Sequence, residues 1–223
     1  MSHGQQNKPG STHPAEVDAF LTIAERRETE IKILASRFLS YAVPVRTVEA
    51  FLEILETVRK EHYDATHHCF ACRTGYDDTS FRFSDDGEPS GTAGKRILGA
   101  LDRHHLTDTG IIIVRYFGGT KLGVGGLARA YTDAAESVLG LCTIETRYLT
   151  DEFTITFPYE VTSQVHHAIE GQEAEIISRN WQDNAEYALR VRCSRRERLL
   201  QDLAELTQRQ VVLVRNTETP DAK

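Results

Sequence analysis

The sequence predicts an α+β protein built as two domains, and three observations carry the prediction. Stretches with an apolar residue at every second position are interleaved with stretches of 3.6-residue periodicity, so strands and helices alternate along the chain. Two glycine-rich loops, SDDGEPSGTAG from Ser84 to Gly94 and GGTKLGVGG from Gly118 to Gly126, each run from a strand-like segment into a helix-like one. After a short segment from Leu141 to Leu149 the pattern restarts as a β-α-β-β-α-β unit, and 223 residues suffice for two small domains.

Residues 1–18 are polar, carry Gly4, Pro9, Gly10 and Pro14, and have almost nothing to bury, so they read as a mobile leader. From Phe20 to Val45 apolar and polar residues alternate around Ile31, Ile33, Phe38, Leu39 and Tyr41, which predicts two strands meeting near the charged segment Glu25 to Glu30. Thr47 then caps a helix whose apolar positions Val48, Phe51, Leu52, Leu55 and Val58 lie on one face, with Arg59 and Lys60 complementing the dipole at its end. Ala65 to Arg73 and Ser80 to Phe83 read as strands joined by the turn-prone Gly75 to Asp78. The first glycine loop leads into a helix from Thr92 to His104, and Gly110 to Phe117 is a buried strand around Ile111, Ile112, Ile113 and Val114. The second loop leads into a helix from Gly125 to Leu139, with Leu127, Ala130, Tyr131, Ala134 and Val138 inward and Gly140 as its C-cap.

In the last third, Phe153, Ile155 and Phe157 mark a strand, and Val161, Val165, Ala168 and Ile169 mark a short helix. Ile176 lies in the next strand, and Tyr187, Leu189, Val191 and Cys193 alternate in the one after it. Ser194 and Glu197 form a capping-box pair before a helix carrying Leu199, Leu200, Leu203 and Leu206, and Val211 to Val214 is the last strand. That order is the ferredoxin-like split βαβ arrangement. The predicted domains are residues 19–146 and 150–216, followed by a tail at 217–223.

With 40% hydrophobic and 26% charged residues the composition is ordinary for a globular protein, and a formal net charge of -7 argues against coating nucleic acid by bulk electrostatics. Any RNA contact must then be a local basic patch. No run approaches the roughly 18 apolar residues of a membrane span, and Met1 to Glu16 lacks a signal-peptide core, so a cytoplasmic chain with no membrane partner is expected. Cys69, Cys72, Cys142 and Cys193 are read as reduced thiols.

The glycine loops carry the functional signal. A glycine-rich turn into a helix N-terminus presents N–H donors and a positive dipole end, which suits phosphate on a nucleotide or on RNA. In the first loop a Walker motif would need glycine where Pro89 stands, and Arg96 replaces the Ser or Thr that holds Mg²⁺. What remains is a phosphate nest of the Thr92, Ala93 and Gly94 amides with Lys95, or a long turn in which Thr92 caps the helix. Asp85, Asp86 and Glu88 are weak candidate ligands for Mg²⁺, set against a solvated acidic turn. In the second loop Gly123 to Gly126 lacks the dinucleotide spacing, but Arg115, Lys121 and Arg129 bracket Gly118, Gly119, Gly125 and Gly126 and add charge-assisted bonds to phosphate oxygens.

His67-His68-Cys69 and Cys72 suggest a metal by composition, yet on a strand Cys69 and Cys72 point to opposite faces; His67 or His68 is read instead as a ligand contact. No Gly-x-Ser-x-Gly elbow is present to support hydrolase chemistry.

The segments Ser36-Arg37-Phe38, His67-His68-Cys69, FSDDGEPSGTAGK from Phe83 to Lys95 and VRYFGGTKLGVGGL from Val114 to Leu127 together resemble the IMPACT family, in its bacterial YigZ-type branch. The resemblance implies a first domain of the ribosomal protein S5 domain 2-like fold, a second similar to ferredoxin-like domains of elongation factor G, and a link to regulation of translation. Eukaryotic members carry an added RWD domain, for which the polar leader leaves no room.

The expected function is a cytoplasmic, non-enzymatic regulator that binds RNA or a ribosome-associated protein and needs no cofactor. Its expected contacts are Arg37, His67, Thr92, Gly94, Lys95, Arg115, Gly118, Gly119, Lys121, Gly125, Gly126 and Arg129. The alternative is an enzyme or sensor acting on a nucleotide or phosphorylated small molecule with Mg²⁺.

Overall fold

Ile111, Ile113 and Arg115 on one side of a strand, and Ile112, Val114 and Tyr116 on the other, set the architecture of the larger unit, Phe20–Arg147. The computed structural model describes residues 18–75, 80–181 and 183–217; the predicted leader at 1–18 except for Asp18, most of the turn after Gly75 and the predicted tail at 217–223 except for Thr217 lie outside these residues. The run is β1 (Ala19–Ile23), β2 (Arg27–Ile33), β3 (Ser36–Pro44), α1 (Val48–Glu61), β4 (His67–Arg73), β5 (Phe81–Ser84), α2 (Gly94–Arg103), β6 (Thr109–Tyr116), α3 (Gly123–Leu139) and β7 (Ile144–Tyr148).

A five-stranded sheet takes the order β2-β3-β6-β4-β5, and every neighbouring pair is antiparallel. Alternation sends Phe38, Ala42, Cys69, Ala71, Ile111 and Ile113 to the face covered by α2 and α3. Tyr41, Val43, Phe70, Cys72, Ile112 and Val114 go to the face covered by α1. Each large apolar side chain fully buried this way stabilises by about 1.5–3 kcal/mol relative to exposure. Cys69 and Cys72 therefore lie in different cores, and burial pushes both thiols up, that of Cys72 to about 11.

Phe20 to Val45 forms three strands where two were expected, because β1 leaves the main sheet and pairs with β7. β7 was passed over in the Leu141–Leu149 segment: Ile144-Glu-Thr-Arg-Tyr148 is short and only partly buried, so it shows no clear alternation. α3 begins at Gly123, two residues before the expected start, since glycine's poor helix propensity hides the first turn.

The smaller unit, described from Asp18 and Ala19 and from Tyr148 onward, contains β8 (Thr150–Phe157), a 3-10 turn at Tyr159–Val161, α4 (Thr162–Gly171), β9 (Glu175–Trp181), β10 (Ala185–Arg192), α5 (Cys193–Leu206) and β11 (Val212–Thr217). Its sheet order is β11-β8-β10-β9. Phe153, Ile155 and Phe157 of β8 and Tyr187, Leu189 and Val191 of β10 pack in one core with Val165 and Ile169 of α4 and Leu199 and Leu203 of α5.

The capping box at Ser194 does not form. Cys193 opens α5 instead of closing a strand, and the Ser194 amide donates to Asp18 Oδ2 at 2.9 Å. Asp18, which composition places in the leader, is only 3% exposed. Burial raises its pKa, but the bonds from Ser194 more than offset this and hold the carboxyl below its usual range.

Candidate anion site

The first glycine loop satisfies itself. Beyond β5, Asp85 turns its carboxylate onto the start of α2, where Oδ1 accepts from the Ala93 and Gly94 amides at 3.0 and 2.9 Å and Oδ2 from the Gly91 amide at 2.8 Å. The Thr92 amide and hydroxyl both donate to the Pro89 carbonyl, at 3.0 and 2.6 Å. The expected phosphate nest is thus filled from within, and Thr92 is not the cap: a helix N-terminus favours an anion, and the loop carries one. Gly94 has a packing role, since a Cβ there would lie 2.7 Å from the Ser84 backbone.

The other two acids are also engaged. Asp86 Oδ2 accepts from the His68 amide at 2.6 Å, and Oδ1 pairs with Arg59 at 3.3 Å. Buried Glu88 accepts through Oε1 from Arg115 Nη1 at 2.6 Å and from the Tyr131 hydroxyl at 2.8 Å. Among the described residues no group of three or more His, Cys, Asp or Glu side chains is placed to hold a metal ion, and Asp85, Asp86 and Glu88 each bond to different groups of the chain.

The second loop is arranged differently. Strand register sets Arg115 on β6 opposite Phe38 on β3 and His67 on β4. The Arg115 guanidinium is buried; besides Glu88 it reaches Ser36 Oγ at 3.3 Å and lies 5.5 and 5.6 Å from the ring centroids of Phe38 and Phe117. Its Nε has no partner among the described residues. His67 Nδ1 lies 2.7 Å from the Asp86 carbonyl oxygen, which can only accept, so Nδ1 carries a proton and Nε2 is the ring nitrogen left to bond a ligand. Nε2 is 3.9 Å from Glu88 Oε1, beyond hydrogen-bond reach.

These groups border a cleft of about 370 Å³ whose lining includes His67, Glu88, Arg115, Phe117, Lys121 and the opening residues of α3 from Gly123. Among the described residues no side chain caps α3. Beside Glu88 the Tyr131 phenol also lies 3.3 Å from Cys69 Sγ, and burial together with these neighbours pushes its pKa up, so it stays protonated as Glu88's donor.

Of the expected contacts, the cleft brings together His67, Arg115 and Lys121. Arg37 instead pairs in two bonds with Glu30 across β2 and β3, at 3.0 and 2.9 Å. Thr92 and Gly94 belong to the closed first loop, and Lys95 and Arg129 are exposed on α2 and α3 without lining the cleft. Gly118 is a spacing residue, because a Cβ there would meet the Ala35 carbonyl oxygen at 1.8 Å; Gly119, Gly125 and Gly126 do not line the cleft either. Sequence reasoning missed Phe117, Leu122 and Val124, which give the cleft its apolar wall. Their signal was available as large apolar residues beside glycines, where a purely structural turn would be polar.

An Impact N-terminal domain family model matches residues 34–139, which contain both glycine loops. The IMPACT family member YigZ of Escherichia coli (strain K12) is 36% identical over 153 residues, covering 68% of this chain and 75% of that protein. An IMPACT family member of Haemophilus influenzae is 34% identical over 188 residues, covering 83% of this chain and 90% of that one. The chain belongs to the IMPACT family. Its resemblance to the bacterial YigZ-type branch, read first from the loop motifs, is borne out by these relatives. A solved crystal structure of "an hypothetical protein" is similar at a TM-score of 0.66 and 30% identity, covering 88% of this chain and 97% of that one. All cleft residues of this IMPACT-family chain, from Thr66 to Leu127, fall inside the matched domain. Among the described residues no helix is long and apolar enough to cross a membrane.

Proposed function

We propose that this chain is a cytoplasmic, non-enzymatic regulator linked to translation, and that it binds RNA by seating a phosphate group in the cleft beside its second glycine loop. One observation carries the reading: the start of α3, Lys121 and Arg115 line the same cleft of about 370 Å³, and among the described residues the buried Arg115 guanidinium keeps its Nε without a partner. Helix N-terminal amides and the helix dipole favour an anion, and Lys121 adds a charge. Phe117 borders the same space and is 45% exposed, which supports stacking of an unpaired base, the usual way single-stranded RNA is held. Membership of the IMPACT family supports the link to translation.

The alternative of a Mg²⁺-dependent enzyme loses support because Asp85, Asp86 and Glu88 spend their oxygens on the chain's own amides, arginines and tyrosine. We further propose an S5 domain 2-like fold for the larger unit and a ferredoxin-like fold for the smaller; the strand order β11-β8-β10-β9 supports the second. The open sheet of the smaller unit is a poorer RNA platform, since Arg190 there is paired with Glu152 and Glu175.

The test is fluorescence anisotropy of a single-stranded RNA oligonucleotide against the full chain over a range of salt. Phosphate contacts predict that log K falls with log salt by about 0.7 per phosphate. A flat response would remove phosphate from the interaction.

A further inference from the structure

The cleft's chemistry is more selective than phosphate binding alone requires, and the selectivity has three sources. The first is charge. Among the described residues Lys121 and Arg115 are the only lysine or arginine on the lining, and Glu88 offsets part of the latter at 2.6 Å. Arg37, Lys95 and Arg129, which would extend a cationic track along a strand, do not line the cleft, and the whole chain carries a formal charge of -7. Sequence-independent binding along a strand depends on such a track. A site with one cationic focus instead favours a single phosphate of high charge, and a monoester carries about −1.5 to −2 at pH 7 where a diester carries one negative charge.

The second source is His67. Because Nδ1 is committed as donor to the Asp86 carbonyl, Nε2 is the ring nitrogen left to hydrogen-bond whatever enters. A phosphate monoester can keep one proton and so both donate and accept in such a bond. An internal diester has no proton to share. The third is size: a volume of about 370 Å³ lies toward the small end of ligand sites, room for about one nucleotide unit and little more.

Resting on the reading of this cleft as a phosphate site, we infer that its ligand is a terminal phosphate monoester, the phosphorylated end of an RNA strand, in preference to an internal stretch of the backbone. The phosphate lies against the start of α3, Lys121, Arg115 Nε and His67 Nε2, and the terminal base lies on Phe117. The same monoester chemistry occurs in a free mononucleotide, and the experiment separates the two.

Three single-stranded RNA oligonucleotides of one sequence, ending in a 5′-phosphate, a 3′-phosphate or hydroxyls at both ends, are titrated with the full chain by fluorescence anisotropy, with a nucleoside 5′-monophosphate as competitor. One phosphorylated end is expected to bind at least roughly tenfold tighter than the hydroxyl form, the worth of an added charge-assisted hydrogen bond. Lys121→Ala and His67→Gln should each shrink that preference, the first by removing an exposed charge. Equal affinity for all three oligonucleotides overturns the inference and leaves the phosphate reading standing. Absence of binding by all three overturns both. If the mononucleotide binds as tightly as the phosphorylated oligonucleotide, recognition of the monoester stands and RNA as its source does not.

Discussion

At the start of α2, Asp85 satisfies the amides of Gly91, Ala93 and Gly94, whereas at the start of α3 no side chain among the described residues caps the helix, and Lys121, Arg115 and His67 border the space. The two loops look alike as strand, glycines and helix, and their physics is opposite. A glycine-rich entry into a helix has affinity for an anion, and the loop's own charge decides whether that anion is a ligand. SDDGEPSGTAG holds Asp85, Asp86 and Glu88; GGTKLGVGG holds no acid and one lysine. α5 repeats the first solution with a carboxylate from much further away, Asp18.

Glu88 ties the two loops together, so its removal should have the largest effect. The Glu88→Ala variant leaves Arg115 charged, buried and without its carboxylate, an outcome that costs about 3–5 kcal/mol when one partner of a buried pair is lost. Urea denaturation measures this directly. The double variant Glu88→Leu with Arg115→Met should lose less than the two single changes summed, because the pair is coupled. A loss below about 1 kcal/mol for Glu88→Ala would mean that water reaches the pair, and the cleft would then have no rigid floor.

Next in size is Asp85→Ala, which strips three amides of their acceptor and should destabilise by roughly 1.5–3 kcal/mol, as for bonds to a charged group. It also converts the closed loop into an open one. Sulfate should therefore raise Tm more in Asp85→Ala than in the parent chain, and an equal rise in both would show that Asp85 is not what closes the loop. Gly118→Ala should cost about 1–2 kcal/mol by forcing the second loop away from Ala35, read as a fall in Tm, without abolishing RNA binding.

Much of the fold was legible because strand and helix periods are local. The α1 face, the β6 run and the β8–β11 order follow from side-chain spacing that no tertiary contact has to supply. β7 and the capping of α5 were not legible, because each depends on a partner more than a hundred residues away, β1 for the one and Asp18 for the other. In the site, Arg115 and Lys121 were read from charge around the second glycine loop and His67 from its His-His-Cys segment, and the structure places all three on the cleft lining. Arg37 and Gly94 were named as contacts too, but they lie away from that lining, and neither the Glu30 pairing nor the approach of the Ser84 backbone has a sequence signature. The pairing of Arg115 with Glu88 joins the loops across 27 positions, and only strand register makes it.

The smallest effects separate the two loops most sharply. Lys95 and Lys121 both sit beside glycines at a helix start and both are exposed, so replacing either with alanine should leave stability nearly unchanged. Their effects on RNA should differ. Lys121→Ala should weaken binding and make the slope of log K against log salt shallower by about 0.7, the share of one phosphate contact on a single strand. Lys95→Ala should change neither, because the amides beside it are already bonded to Asp85 and offer a phosphate nothing more to hold. If the two variants lose affinity and salt dependence equally, the phosphate sits on the first loop after all, and Asp85 must leave the α2 terminus when RNA arrives.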